Sequence, residues 1–271
     1  MAYFSTSDGV NIYYEISGEG LPVIFIHGFG ESGDVFKIQK RLLSKKNMII
    51  TYDVRGHGQT DKVQYGLTMR RLSIDLKELI SSLELNKVTV VAWSMGASIL
   101  FEYIKNFGTE KLYKICIVDK GPKMINDEKW NLGLYQGRYK AEDFREDLEM
   151  ISHDFPEFCK KFIESMSLNL NKRELKIGLE KISKNSKEVL YSLWKSMGEN
   201  DYREVIKNID VETLIVFGQD SILYSAETGE YLRDNIKKSK LEVFSDAGHL
   251  LILESPRKFS KLIENFIDSK A

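Results

Sequence analysis

In the stretch "VTVVAWSMGASIL", Ser94 stands between an apolar run and a helical pattern, in the setting Ala92-x-Ser94-x-Gly96-Ala97. A small-x-Ser-x-small turn of this kind presents a nucleophilic hydroxyl from a tight strand-to-helix bend. The small neighbours are a steric requirement, because the nucleophile's backbone is strained and larger side chains would strike strand and helix. A serine that merely caps a helix N-terminus fits the same pattern, so chemistry at Ser94 requires a base. The chain has four histidines. His27 and His57 lie in the glycine-rich turns "IHGFG" and "RGHGQ", and His153 lies in a charged helical stretch. His249, in "SDAGHLLILESP", follows the last predicted strand and precedes the last helix. Open α/β sheets place their sites at such carboxyl ends of strands. His249 follows Ser94 in the order serine, acid, histidine, and it lies at a strand's end. The pair would carry out nucleophilic attack on a carbonyl carbon, with the imidazole accepting the serine proton.

A second arrangement competes. "VIFIHGFGESGDVF" places Gly28, Gly30 and Gly33 in a G-x-G-x-x-G, and Asp53 follows Gly33 by twenty positions. That spacing suits a loop cradling a pyrophosphate at a helix N-terminus, with the acid on a ribose. Two predicted strands precede this loop, however, whereas the fingerprint belongs to the first strand–helix turn.

The positioning elements follow from periodicity. Strands are predicted near 2–5 and 10–17, with "SDG" as the hairpin turn between them. "PVIFIH", "NMIITYD", "KVTVVAW", "LYKICIVD", "VETLIVFG" and "KLEVFS" read as further strands, several of them continuous apolar runs buried on both faces. Helices are predicted over about 34–46, in "MRRLSIDLKELISSLEL", in "SMGASILFEYIKNF", near 226–237 and after Ser255, with Pro256 at the first helical position. The alternation predicts an α/β fold with a mostly parallel central sheet and helices on both faces. It breaks between 121 and 205, where the chain is charged, helical in pattern and without a convincing strand. The expected organisation is therefore a core of 1–120 and 206–271 with a helical insertion over 121–205.

Composition narrows the partners. A net charge of −1 provides no field favouring nucleic acid or a membrane surface. No apolar run approaches the ~20 residues that span a bilayer, and "MAYFSTSDGVNIYYE" has neither the basic nor the apolar region of a secretory signal. Cys116 and Cys159 make no disulfide framework, which fits a reduced, cytoplasmic setting. There is no C-x-x-C, no H-E-x-x-H and no P-loop, so no metal and no organic cofactor is expected. A small molecule is the expected partner, bound by a monomer or homodimer.

Four segments in order then resemble the α/β-hydrolase fold superfamily, in particular capped serine esterases akin to arylesterases, cofactor-free haloperoxidases and enol-lactonases. "FIHGFG" resembles the family's H-G-x-x segment, "YDVRGHGQTDK" its D-x-R-G-x-G-x-S segment with Thr60 in place of Ser, "AWSMGAS" the nucleophile turn and "AGHLLILESP" the histidine loop. The resemblance explains Asp53 through the following Arg55-Gly56-His57-Gly58, and the dinucleotide spacing becomes coincidental. It implies an oxyanion hole from the backbone N–H groups of Phe29 and Met95. It implies an acid to orient the imidazole, where the sequence departs from the family. The usual G-x-x-Asp loop is "FGQDSILYS", so Ser221 occupies the acid's place and Asp220 falls one residue early. Some relatives carry the acid after the sixth strand, which is Asp119 here. Asp119 is the preferred acid and Asp220 the alternative. The insertion resembles a cap over the site, where Phe155, Phe158, Phe162, Met166, Trp130 and Trp194 line a cavity or form the cap's own core. Substrate contacts are expected from His27, Gly28, Trp93, Trp130 and Leu250. The implied activity is hydrolysis of small to medium carboxylic esters. Lactone opening, carbon–carbon hydrolysis and perhydrolysis are alternatives on the same residues, and a ligand receptor with little turnover is an alternative of another class.

Overall fold

The computed structural model describes residues 2–166 and 171–269. Residues 167–170, within the insertion expected over 121–205, lie outside the described residues. The strands are β1 (Ala2–Ser5), β2 (Asn11–Ser17), β3 (Leu21–Ile26), β4 (Asn47–Tyr52), β5 (Val88–Trp93), β6 (Leu112–Val118), β7 (Glu212–Gly218) and β8 (Ser239–Phe244). They form one sheet in the order β1-β2-β4-β3-β5-β6-β7-β8. β1 pairs antiparallel with β2, and β2 antiparallel with β4, while every pairing from β4 through β8 is parallel. All six residues of β5 are buried, as its unbroken apolar run requires when both faces are covered.

In the core, the helices are α1 (Lys37–Leu43), α2 (Met69–Ser82) and α3 (Met95–Phe107). The single helix expected over 34–46 is a 3-10 turn, Gly33–Phe36, running into the shorter α1. Between β6 and β7 come α4 (Leu134–Gly137), α5 (Ala141–His153), α6 (Phe155–Glu164), α7 (Lys172–Ile182), α8 (Lys187–Gly198) and α9 (Arg203–Ile206). α10 (Ala226–Asn235), α11 (Leu251–Glu254) and α12 (Pro256–Asp268) complete the chain. α1 packs on α12, and α2 on α3.

Strand carboxyl ends gather the chemistry. Ser94 follows β5, Asp119 follows β6, and the loop after β8 carries His249. Ser94 N–H donates to Val118 O at 3.0 Å and Asp119 N–H to Val216 O at 2.8 Å, so the ladder continues through both residues. Close backbone approach is needed at two glycines. A Cβ on Gly96 would lie 2.4 Å from Ile26 O, and one on Gly218 would lie 2.3 Å from Gly248 O. The first lets α3 start against β3, and the second lets the histidine loop rest on the end of β7.

Candidate active site

Ser94 has φ 54° and ψ −121°, and its side chain caps nothing in α3. An N-cap serine takes extended backbone and accepts from the first turn, as Thr68 does for α2 and Ser186 for α8. Ser94 does neither. Its backbone sits in a costly region that surrounding structure must enforce. Gly28 supplies part of that constraint, since a Cβ there would lie 3.2 Å from both Ser94 Cβ and the Trp93 ring.

His249 is fully buried. Its Nδ1 lies 2.8 Å from Asp119 Oδ1, which places the ring proton on Nδ1 and leaves the lone pair on Nε2. Nε2 is buried with no protein partner among the described residues. The Trp93 indole donates to His249 O at 3.0 Å and holds the loop from beneath. Asp119 accepts twice more, from Ser221 Oγ at 2.8 Å and from Gly218 N–H at 3.1 Å. Its carboxylate is thus held by a hydroxyl, a backbone N–H and the imidazole. Of the two candidate acids, Asp119 therefore meets the imidazole. Asp220 does not: its side chain is exposed and its N–H is tied to Ala247 O at 3.1 Å.

The two expected oxyanion donors are free. Among the described residues neither the Phe29 nor the Met95 N–H has an acceptor, although both residues are buried. Buried N–H groups are ordinarily paired, and these two depart from that rule. The loop carrying Phe29 is clamped from both sides. Gly30 N–H donates to His57 Nε2 at 3.2 Å, and Asn185 Nδ2 donates to Gly30 O at 3.0 Å. Lys181 pairs with Glu31 at 3.1 Å. The Phe29 ring lies 5.2 Å from both the Phe162 and Trp194 rings. Trp194 is itself oriented by donation to Tyr139 OH at 3.0 Å, and Tyr139 donates to Asp147 at 2.7 Å.

Several expected substrate contacts belong to the scaffold instead. His27 is fully buried, its Nδ1 2.8 Å from Gly28 O and its Nε2 accepting from Val54 N–H at 2.9 Å. Burial pushes its imidazole down to about 4. Both ring nitrogens are spent on backbone, so it ties loops together. Trp93 is fully buried and serves the His249 loop. Trp130 packs on Tyr231 at 4.9 Å and under Arg203, with its indole on Lys123 O, and none of these contacts reaches Ser94 or His249. Gly28 does lie over Ser94. Leu250 lines a cavity of about 390 Å³ with Ala247, Gly248, Ile163, Met166 and Ile177, next to His249 in the chain.

The G-x-G-x-x-G is also accounted for. Asp53 accepts from Gly33 N–H and Gln59 N–H, each at 2.7 Å, so both carboxylate oxygens face protein backbone. Gly30, at φ 72°, makes room for Ile182, which a Cβ would meet at 2.9 Å. His57, Asn185 and Ser221 were not legible as site residues, because their partners lie far away in sequence. Ser221 did carry a signal: it occupies the family's acid position. Among the described residues no three His, Cys, Asp or Glu side chains converge to hold a metal ion. No helix among them is long and apolar enough to cross a membrane.

A family model described as the alpha/beta hydrolase fold matches residues 22–256. The chain belongs to this family. Among its relatives, a non-heme chloroperoxidase from Kitasatospora aureofaciens is 27% identical, covering 99% of this chain and 100% of that protein. A pimeloyl-[acyl-carrier protein] methyl ester esterase from Legionella pneumophila is 26% identical, over 95% of this chain and 100% of its own length. The solved structure of an esterase from Exiguobacterium antarcticum superimposes with a TM-score of 0.91 at 26% identity, covering 98% of this chain and 99% of that one. This alpha/beta hydrolase therefore aligns with esterases and a haloperoxidase over 95–99% of its length.

Proposed function

We propose that this alpha/beta hydrolase is a serine esterase that cleaves small to medium carboxylic esters through an acyl-enzyme. One observation carries the reading: His249 keeps Nδ1 on Asp119 and leaves a buried Nε2 without a protein partner, while Ser94, in its strained turn after β5, caps nothing. Ser94 Oγ attacks the ester carbonyl carbon while Nε2 accepts its proton. The carbonyl oxygen becomes an oxyanion held by the Phe29 and Met95 N–H groups. The intermediate collapses, and the imidazolium returns the proton to the leaving alkoxide. Water then attacks the acyl-enzyme with His249 as base, restoring Ser94. Asp119 fixes the tautomer and stabilises the transient imidazolium.

Residues 121–205 serve as a cap in this reading. Phe158, Phe162 and Trp194 pack on Phe29, so the insertion excludes water from the acyl end of the site. The esterase relatives lend support to the substrate class. The decisive experiment is labelling by a fluorophosphonate probe together with turnover of p-nitrophenyl acetate and butyrate. Both are expected of the wild-type protein and not of Ser94→Ala. A wild-type protein that neither reacts nor turns over would instead be a binding protein on a hydrolase scaffold.

A further inference from the structure

Lys120 directly follows Asp119 and is 5% exposed. Two other deeply buried cations among the described residues have counter-ions, although one Arg55 nitrogen, Nη1, has no partner. Lys114 donates to Phe266 O, Ser269 O and Ser269 Oγ and pairs with Glu212 at 3.0 Å, and Arg55 pairs with Asp75 and Asp8, each at 2.8 Å. Lys120 has no such partner. Among the described residues its Nζ forms no ion pair and no hydrogen bond, and its contact is the Tyr224 ring, with the centroid 5.4 Å away. A lysine side chain packed this deeply without a counter-ion is costly, and burial pushes its pKa down to about 7.

Its surroundings point to a ligand. The Tyr224 hydroxyl is buried and also lacks a partner. Tyr224 N–H donates to Ser221 Oγ at 3.3 Å, the same hydroxyl that donates to Asp119. Burial pushes the Tyr224 phenol's pKa up, with the Asp119 charge and Tyr135 adding to the shift, while the Tyr135 hydroxyl reaches Ser165 Oγ at 3.5 Å. Tyr135 arrives on α4, a single turn in which Tyr135 and Gln136 both take left-handed backbone, at φ 52° and 54°. Two non-glycine residues in that region are strained. The turn is held to the acid's loop by Gln136 Nε2 donating to Ser221 O at 2.7 Å and Gln136 N–H to Leu223 O at 3.1 Å. Three elements thus bring an unpaired ammonium and two phenols to the flank of the His249–Asp119 pair.

We infer that Lys120 and the Tyr224 hydroxyl form a subsite for a carboxylate carried by the substrate, so that the preferred esters are hemiesters of short dicarboxylic acids. A monoanion matches one ammonium, and the phenol supplies a neutral donor to a second oxygen. A dianion such as phosphate would leave a buried charge unbalanced next to Asp119. The inference rests on the esterase reading for its catalytic half, and the test separates the two.

The wild-type enzyme is assayed on p-nitrophenyl hemiglutarate and on its neutral methyl ester, and the ratio of the two kcat/KM values is read. Losing one partner of a desolvated charge pair costs roughly 10²-fold. A ratio well above one that drops about 10²-fold in Lys120→Met and is largely kept in Lys120→Arg supports the subsite. A wild-type ratio at or below one overturns it, whatever the absolute rate. Calorimetric titration of glutarate into Ser94→Ala, and into the same protein with Lys120→Met, decides the matter even if neither ester turns over or Lys120→Met is unstable in the wild-type background. Saturable binding that needs Lys120 supports the subsite, and no binding to Ser94→Ala overturns it. Failure of the esterase reading has its own signature, glutarate binding without Ser94-dependent turnover of either ester.

Discussion

Ser221 Oγ donates to Asp119 Oδ1 at 2.8 Å, joining residues 102 positions apart. The residue standing where the sequence pattern leads one to expect an acid is a hydrogen-bond donor to the acid that follows the neighbouring strand. Replacing Asp119 by Asn should therefore lower kcat on a p-nitrophenyl ester by about 10⁴, while Asp220→Asn stays near wild type. Adding Ser221→Asp to Asp119→Asn returns a carboxylate to the family's usual position, and steady-state kinetics should register at least about a tenfold recovery over the single variant, a modest part of the loss that the wrong tautomer causes. No recovery would mean that the two positions cannot exchange this role.

Asn185 reaches from the end of α7 to Gly30 O. Its removal should loosen the Phe29 peptide without touching Ser94 or His249. Outright loss of an oxyanion donor costs ~10²–10³, and a displaced one should cost less, about tenfold in kcat with KM nearly constant. Inhibition by a trifluoromethyl ketone, which places an oxyanion between the same N–H groups, should weaken in proportion. A purely structural role would lower the melting temperature and leave that inhibition unchanged.

Gly96→Ala tests the nucleophile turn itself. The new methyl would sit 2.4 Å from Ile26 O, a backbone atom that cannot swing aside. Overpacking of this kind costs roughly 1–3 kcal/mol, visible as a lower denaturant midpoint. Since the strain falls where α3 begins, esterase activity should fall further than the lost stability explains.

The two loop histidines set an acid limit. Burial pushes His27 down to about 4 and His57 to about 3, from the ordinary 6.5, and each Nε2 accepts a backbone N–H in the folded protein. In the unfolded chain both take up protons below 6.5. The unfolded state then binds more protons than the folded one, so stability is full above 6.5 and falls as pH drops towards 4 and then 3. His27 alone contributes on the order of 3 kcal/mol to that loss. Urea midpoints measured at pH 7, 5.5 and 4.5 should decline in that order, and less steeply in His57→Gln.

Much of the fold was legible because the strands are apolar runs whose burial leaves little choice. β5 and β7 fall where the sequence predicts them, and Gly96 and Ser94 announce the turn between β5 and α3. The site was legible only where a motif fixes backbone. Ser94, with its φ of 54° after β5, and His249, in the loop after β8, stand where the pattern puts them in the chain. Side-chain direction was a different matter. His27, Trp93 and Trp130 read equally well as ligand contacts, and only loop closure turns them onto Val54, His249 and Tyr231. Nor could the sequence weigh Asp119 against Asp220 decisively, since the contact that distinguishes them spans 130 positions. His57 and Asn185 gave no local sign at all, because each acts on Gly30 from another segment.

The contact of Asp119 with His249 has one more consequence. The residue that orients the imidazole is also the last one before the chain leaves the sheet to build its helical insertion. The border of the insertion is thus the Asp119–His249 contact itself, and any graft that begins at the end of β6 must carry Asp119 across intact or lose that contact.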